Sequence, residues 1–167
     1  MPHPALGLPP SDAAAGHPEL ARRILAARPR LPALALEAAL RIDPGLRDRH
    51  DELALRRILR DYEGHVDQLA RALATGEDRY AVMYGEWLVP VYRRRKVRMN
   101  DVVTFLDGLR DAVVGIVPAG DAAPVRQVVA AWIERLRHHR RLPGDHEGNR
   151  LVRLIWKGGG FGDDTVV

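Results

Sequence analysis

His65 is the side chain in this sequence best suited to bind a ligand or to move a proton. It lies inside a helical pattern, directly after Gly64, and neutral imidazole offers a lone pair near physiological pH. One interpretation makes His65 a haem ligand or a general base. The favoured interpretation makes it an exposed or half-buried residue that forms hydrogen bonds, with Asp61 four residues earlier on the same helix face. Gly64 would permit a close helix crossing or the approach of a ligand.

Glu86 is the other candidate for proton transfer, because it lies beside Trp87. A carboxyl group in an apolar pocket has the raised pKa that a general acid needs. A single glutamate is weak evidence, however, and the sequence shows no Ser/His/Asp arrangement, no nucleotide-binding glycine loop and no informative carboxylate pair. An enzyme is therefore the less favoured class of protein.

The densest set of metal-ligand residue types is formed by His138, His139, Asp145, His146 and Glu147. Adjacent histidines on a helix point about 100° apart, so His138 and His139 are poorly placed to chelate one ion. The i, i+4 histidine spacing of helical zinc motifs is missing. We therefore predict no metal site.

Positive charge is concentrated in two clusters. The formal net charge is +4, and only two of the 26 basic residues are lysine. The first cluster, called the basic run below, consists of Arg93, Arg94, Arg95, Lys96 and Arg98; the second extends over Arg135–Arg141. Both suit the cap of a helix C-terminus, and both suit phosphate contacts. Nucleic-acid binding through these clusters is thus an alternative function, driven by backbone charge, because no helix-turn-helix is evident.

Apolar residues recur at three- and four-residue intervals along most of the chain, which predicts helices. No strand or hairpin pattern is present. The fold class is therefore all-α, with about six helices in a globin-like or irregular bundle. The predicted helices cover about residues 18–28, 34–43, 51–75, 77–96, 101–116 and 122–141, with a short helix or extended segment at 149–156.

Proline and glycine divide the chain into three parts. We predict a flexible N-terminal arm over residues 1–16, one helical domain over 17–157 and a flexible glycine-rich tail over 158–167. Gly76 should end the longest helix, and Asn100 should cap the helix that bears Asp101. Pro90 lies inside the aromatic helix and should kink or break it near the basic run.

The aromatic residues predict where a pocket would lie. Tyr84 and Trp87 are spaced i, i+3 and are expected in the core. A pocket, if the bundle has one, should lie among the helices that carry His65, Tyr84, Trp87 and Phe105, which are the predicted ligand-binding residues.

Three segments carry a resemblance to a known family: Tyr84-Gly85-Glu86-Trp87-Leu88-Val89-Pro90, Val97 to Asp101, and Leu106-Asp107-Gly108-Leu109-Arg110. Together they resemble bacterial helical sensor domains, and most nearly the non-haem globin-like N-terminal domain of stressosome co-antagonists and of similar histidine-kinase sensors. The resemblance covers about a quarter of the chain. It implies an all-helical homodimer that binds a small-molecule signal or a protein signalling partner and catalyses nothing.

A tetrapyrrole-binding protein is the second alternative. Haem at His65 is one form of it. The helical half of a cobalamin-binding module is the other, although the companion α/β domain with its ligating histidine motif is not in this sequence.

The compartment follows from what the sequence lacks. It has no cysteine, so it forms no disulfide and no thiolate site. No apolar run approaches the ~20 residues that span a bilayer, and residues 1–10 show no signal-peptide pattern. We therefore predict a cytoplasmic protein without membrane contact.

Overall fold

The computed structural model describes residues 15–139, except for the side chain of His139. The predicted element at 149–156 and the tail at 158–167 lie outside the described residues. So do Arg140 and Arg141 of the second basic cluster, and Asp145, His146 and Glu147 of the histidine-rich segment.

The described chain is helical, which confirms the predicted all-α bundle. It contains seven α-helices and no strand. They are α1 (Pro18–Ala26), α2 (Leu31–Ile42), α3 (Leu46–Arg49), α4 (Glu52–Thr75), α5 (Arg79–Arg94), α6 (Met99–Val114) and α7 (Ala122–His139), with one 3-10 turn (Ala119–Asp121) before α7.

The longest helix, α4, begins and ends where the sequence predicts. The Asp51 carboxylate accepts a hydrogen bond of 2.7 Å from the Ala54 backbone N–H, which satisfies one of the free donors of the first turn. Gly76 ends the helix with φ at 71°, the left-handed conformation that glycine adopts without strain. Gly16, the last residue of the predicted arm, donates its N–H to the Ala74 carbonyl at 2.9 Å and is anchored to this end of α4.

Helix α5 continues through Pro90 to Arg94, within the predicted range of 77–96, and does not break at the proline. Leu88, Val89 and Tyr92 around the proline are buried in the core and hold the helix in place. The predicted cap of the next helix is wrong. Asn100 does not cap α6 but is its second residue. Arg98, with extended backbone, takes the N-cap position and provides no side-chain cap bond.

Helix α4 contacts α1, α2, α5 and α7, and helix α6 packs against α2 and α7. The α2–α6 crossing is close because Gly108 has no side chain. A Cβ at this position would lie 2.5 Å from the Ala35 carbonyl oxygen and 2.7 Å from the Ala39 backbone nitrogen. One apolar core runs through the whole bundle, and no helix of the described part is both long and apolar enough to cross a bilayer.

Gly108→Ala should lower the free energy of unfolding by about 2 kcal/mol, because the new methyl group meets backbone that cannot move aside. The gain in helix propensity from alanine offsets only ~1 kcal/mol of that loss. Gly120→Ala is the control, since a Cβ there meets nothing within 4 Å. Urea unfolding measures both, and equal stability of the two variants would contradict the close crossing.

Candidate functional site around His65

His65 is buried, so the favoured interpretation of an exposed or half-buried residue is wrong. Its exposed fraction is 3%. Four aromatic rings surround the imidazole, with centroid distances of 5.8 Å for Tyr62, 5.7 Å for Tyr84, 6.4 Å for Tyr92 and 5.2 Å for Trp132. Local spacing on α4 could not reveal this environment, because α5 and α7 supply three of the rings. These five residues are called the His65 cluster below.

Two glycines allow the rings to come this close. A Cβ at Gly64 would overlap the Tyr84 hydroxyl oxygen, and one at Gly85 would lie 2.6 Å from Cδ1 of Trp132. The tyrosine therefore packs onto the backbone of α4, and the indole packs onto the backbone of α5. Gly64 thus makes room for the side chain of Tyr84, where the sequence predicted room for a close helix crossing or a ligand.

A chain of polar contacts leads from His65 to the protein surface. Nε2 of His65 lies 3.1 Å from the hydroxyl of Tyr92. The same hydroxyl is hydrogen-bonded to the carboxylate of Asp61. That carboxylate accepts a hydrogen bond of 2.7 Å from Nη1 of Arg95, in the basic run. These four residues, His65, Tyr92, Asp61 and Arg95, are called the polar chain.

The partners in the polar chain indicate which tautomer His65 adopts. An ionised carboxylate only accepts, so Tyr92 donates its proton to Asp61. The Tyr92 oxygen then accepts from Nε2–H of His65, which leaves Nδ1 without a proton. Burial raises the pKa of Asp61, and the Arg95 guanidinium, 2.7 Å from the carboxylate, counteracts part of this effect because it favours the ionised form.

The imidazole is neutral in the folded protein. Burial lowers the pKa of His65 to about 4. The Asp61 backbone carbonyl, one turn earlier, favours the charged ring and offsets part of this effect, although it makes no hydrogen bond of standard geometry with Nδ1. Burial likewise raises the pKa of Tyr84 to about 12 and that of Tyr92 well above its usual value. The cluster therefore carries no charge at neutral pH.

Two nitrogen atoms of the cluster lack hydrogen-bond partners among residues 15–139. They are Nδ1 of His65 and Nε1 of Trp132, and both are buried. The indole N–H only donates, whereas the deprotonated Nδ1 only accepts. A buried polar group without a partner costs about 1–3 kcal/mol, and in a native fold it calls for a bound water or ligand.

The structure brings only some of the predicted ligand-binding residues together. Tyr84 touches His65, and partly buried Trp87 stacks on Tyr84 at 5.8 Å between ring centroids. Phe105 packs against Tyr62, in an edge-to-face arrangement with 6.4 Å between ring centroids. The hydroxyl of Tyr62 donates to the Phe105 carbonyl at 2.8 Å, which holds α4 against α6.

Sequence reasoning missed Tyr62, Tyr92 and Trp132 as members of the site. Tyr62 and Trp132 were visible only as members of the apolar stripes of their helices. Tyr92 follows Tyr84 by eight residues, a spacing that returns to the same side of a helix. That spacing was the available signal, but the partner on α4 became clear only from the packing.

The surroundings of His65 do not fit a tetrapyrrole. A haem or cobalamin ligand needs open space for the macrocycle beside its ring nitrogen. Nε2 is engaged by Tyr92, and the rings of Tyr62, Tyr84 and Trp132 pack within 5.8 Å, centroid to centroid. No step in the proposed mechanism therefore involves haem or cobalamin.

A second buried polar group joins two helices beside Phe105. Asp101, 3% exposed, accepts hydrogen bonds from Nη2 of Arg49 at 2.9 Å and from Nε2 of His50 at 2.8 Å. Burial alone would raise the pKa of Asp101, but the hydrogen bonds from His50 and Arg49 outweigh it and lower the pKa. The sequence predicted a dipole interaction for Asp101. The structure adds an ion pair that fixes the start of α6 to the end of α3.

The remaining charged candidates lie at the surface. All five cations of the basic run are exposed. In the second cluster, Nε of Arg135 donates to Glu86 at 2.6 Å, and Arg137 lies 3.5 Å from Glu134. Glu86 thus faces a guanidinium and partly faces solvent, so the apolar pocket expected around it is not present.

The described residues contain no group of three or more His, Asp or Glu placed to hold a metal.

The free energy of unfolding should decrease as the pH is lowered from about 6.5 to about 4. In this range His65 takes up a proton in the unfolded chain, while the buried ring of the folded protein does not. Its stabilising contribution is complete above the unfolded pKa of about 6.5 and is lost as the pH falls toward the folded pKa of about 4. The expected loss is roughly 3 kcal/mol at 1.36 kcal/mol per unit.

Urea unfolding at several pH values tests this, with His65→Gln as the matched variant that bonds without titrating. His50 and Asp101 are present in both proteins, so the difference between the two pH profiles isolates His65. Parallel profiles would contradict a buried neutral imidazole.

Comparison with known proteins adds no relative to these observations. No protein-family model, curated protein or solved structure matches this chain. The resemblance to globin-like sensor domains therefore stays a prediction, and the geometry around His65 is the main structural indication of function.

Proposed function

We propose that this protein is a non-catalytic regulatory or sensory module that binds a small polar molecule beside His65 and Trp132. The polar chain is the observation that supports the proposal most directly. It joins a fully buried imidazole to an exposed guanidinium through two further side chains, each held by a hydrogen bond. A change at His65 thereby has a physical route to the surface.

The two unpaired nitrogens define the chemistry of the signal. The molecule must donate a hydrogen bond to Nδ1 of His65 and accept one from Nε1 of Trp132. A hydroxyl or a primary amide does both, and an attached small ring would suit the aromatic surroundings. Because the rings are closely packed, binding requires Tyr84 or Trp132 to move aside.

Binding would act on the polar chain through the imidazole. A donor at Nδ1 draws electron density from the ring and makes Nε2–H a stronger donor to Tyr92. Hydrogen bonds in series polarise one another, so the bond from Tyr92 to Asp61 strengthens as well. Asp61 then holds Arg95 less strongly, and the guanidinium becomes available to a partner.

The proposal includes a wider setting that the resemblance implies. The module would act in the cytoplasm as a homodimer and pass its signal to a protein partner. The absence of cysteine agrees with a reducing compartment. Light scattering of the purified protein tests the dimer independently of the ligand.

The test uses phenol, benzyl alcohol and benzamide as probes and follows two nitrogen signals by NMR. At least one probe should shift the indole N–H of Trp132 and also the Nε–H of Arg95. In Tyr92→Phe the indole should still shift and Arg95 should not, because the variant removes the hydroxyl that joins them.

Tyr80→Phe is the control, since it removes a buried α5 hydroxyl whose ring lies 4.4 Å from Arg71, away from the polar chain. A panel that leaves the Trp132 signal unchanged would overturn the ligand site. An Arg95 response that survives in Tyr92→Phe would overturn the coupling.

A further inference from the structure

Helix α5 ends in a Schellman motif whose left-handed position is occupied by lysine. The Val97 N–H donates to the Tyr92 carbonyl at 2.9 Å, and the Lys96 N–H donates to the Arg93 carbonyl at 2.9 Å. These are the two hydrogen bonds that define the motif. Lys96 has φ at 58°, and among the described residues it is the only one other than glycine with positive φ.

The end of α4 shows the same motif built in the ordinary way. The Glu77 N–H donates to Ala72 at 3.0 Å, the Gly76 N–H donates to Leu73 at 3.3 Å, and Gly76 has φ at 71°. Glycine adopts this conformation freely, whereas the Cβ of other residues is crowded there. The same chain thus uses the relaxed residue at one helix end and a strained lysine at the other. Strain that persists in a fold points to a use for the side chain.

The turn presents positive charge from a rigid base. Tyr92, Val97 and Met99 are buried and fix the backbone on both sides of Lys96. The side chains between and beside them are exposed: Arg93, Arg94, Arg95, Lys96 and Arg98. Asp61 pairs with Arg95. Arg94 and Lys96 make no ion pair within the described part of the chain.

We propose that this turn is a docking surface for the phosphate backbone of duplex nucleic acid, with Lys96 held in the left-handed conformation to add a cation at its apex. This surface is separate from the His65 ligand site. Arginine binds phosphate oxygens through two parallel donors, and closely spaced cations match a repeating anion. Arg95 belongs to both the turn and the polar chain, so a phosphate that takes Arg95 competes with Asp61.

The neighbouring side chains distinguish this partner from other polyanions. Tyr92 is buried, so it offers no ring for stacking on the bases of a single strand. Val97 and Met99 are buried too, so the turn has no exposed apolar side chain to insert into a lipid surface. Backbone charge is what remains to be recognised, and the binding should be independent of base sequence.

The test compares Lys96→Gly with the unmodified protein in two measurements. The variant should unfold at a temperature about 3 °C higher, because glycine relieves the strain at this position. It should bind a mixed-sequence 20-base-pair DNA duplex several-fold more weakly at about 50 mM salt, and the slope of log affinity against log salt should fall by about one. Fluorescence anisotropy measures the binding.

Arg126→Gln is the matched control, since it removes one exposed cation from α7 without touching the turn. It should leave duplex affinity within about twofold of the unmodified protein, and an equal loss in both variants would indicate non-specific attraction and overturn the proposal. The combined variant Arg94→Glu, Lys96→Glu should abolish binding.

Three other outcomes would also overturn the proposal. The first is that the Lys96→Gly protein is more stable but binds the duplex as tightly as the unmodified protein. The second is that the unmodified protein does not bind the duplex at all. The third is tighter binding of a single strand, or of vesicles of phosphatidylserine and phosphatidylcholine, than of the duplex.

Discussion

The imidazole of His65 is buried between three helices, where a charge on the ring would cost roughly 3 kcal/mol, a large share of the stability of a marginally stable fold. The centre of the bundle depends on keeping this ring neutral. Burial lowers the pKa of the imidazole, and the Tyr92 hydroxyl oxygen accepts a hydrogen bond from its one protonated nitrogen. The glycines at positions 64 and 85 let Tyr84 and Trp132 close around it. The packing of these helices therefore depends on the protonation state of one imidazole.

The polar chain allows a polar ring to lie in an apolar core, because it connects His65 to the surface through a series of hydrogen bonds. Each member is satisfied by the next until Asp61 meets Arg95 near solvent. Two nitrogen atoms of the cluster, Nδ1 of His65 and Nε1 of Trp132, lack hydrogen-bond partners in the described part of the chain. Native cores rarely leave two such atoms within one cluster of side chains. This asymmetry is the reason that a ligand site, and not simple packing, is proposed for the cluster.

At the surface, the end of α5 carries a charged residue, Lys96, at a position where the backbone conformation favours glycine. The two Schellman motifs provide the comparison, since they share hydrogen bonds and differ in the residue at positive φ. Stability given up at one position for the sake of a side chain is a common feature of functional surfaces. Arg95 links this surface to the core, so a signal at His65 and a partner at the turn would act on the same ion pair.

The sequence alone determined the elements: helical periodicity and the stop at Gly76 placed α4 almost to the residue. These features depend on neighbours within a few positions, and such local rules can be read from a chain. The burial of His65, the rings around it and the hydrogen bonds of Asp101 depend on helices that are distant in sequence. Only the tertiary structure decided them, because desolvation and hydrogen-bond partners are set by what packs against a residue, and helical spacing carries no record of the opposite helix.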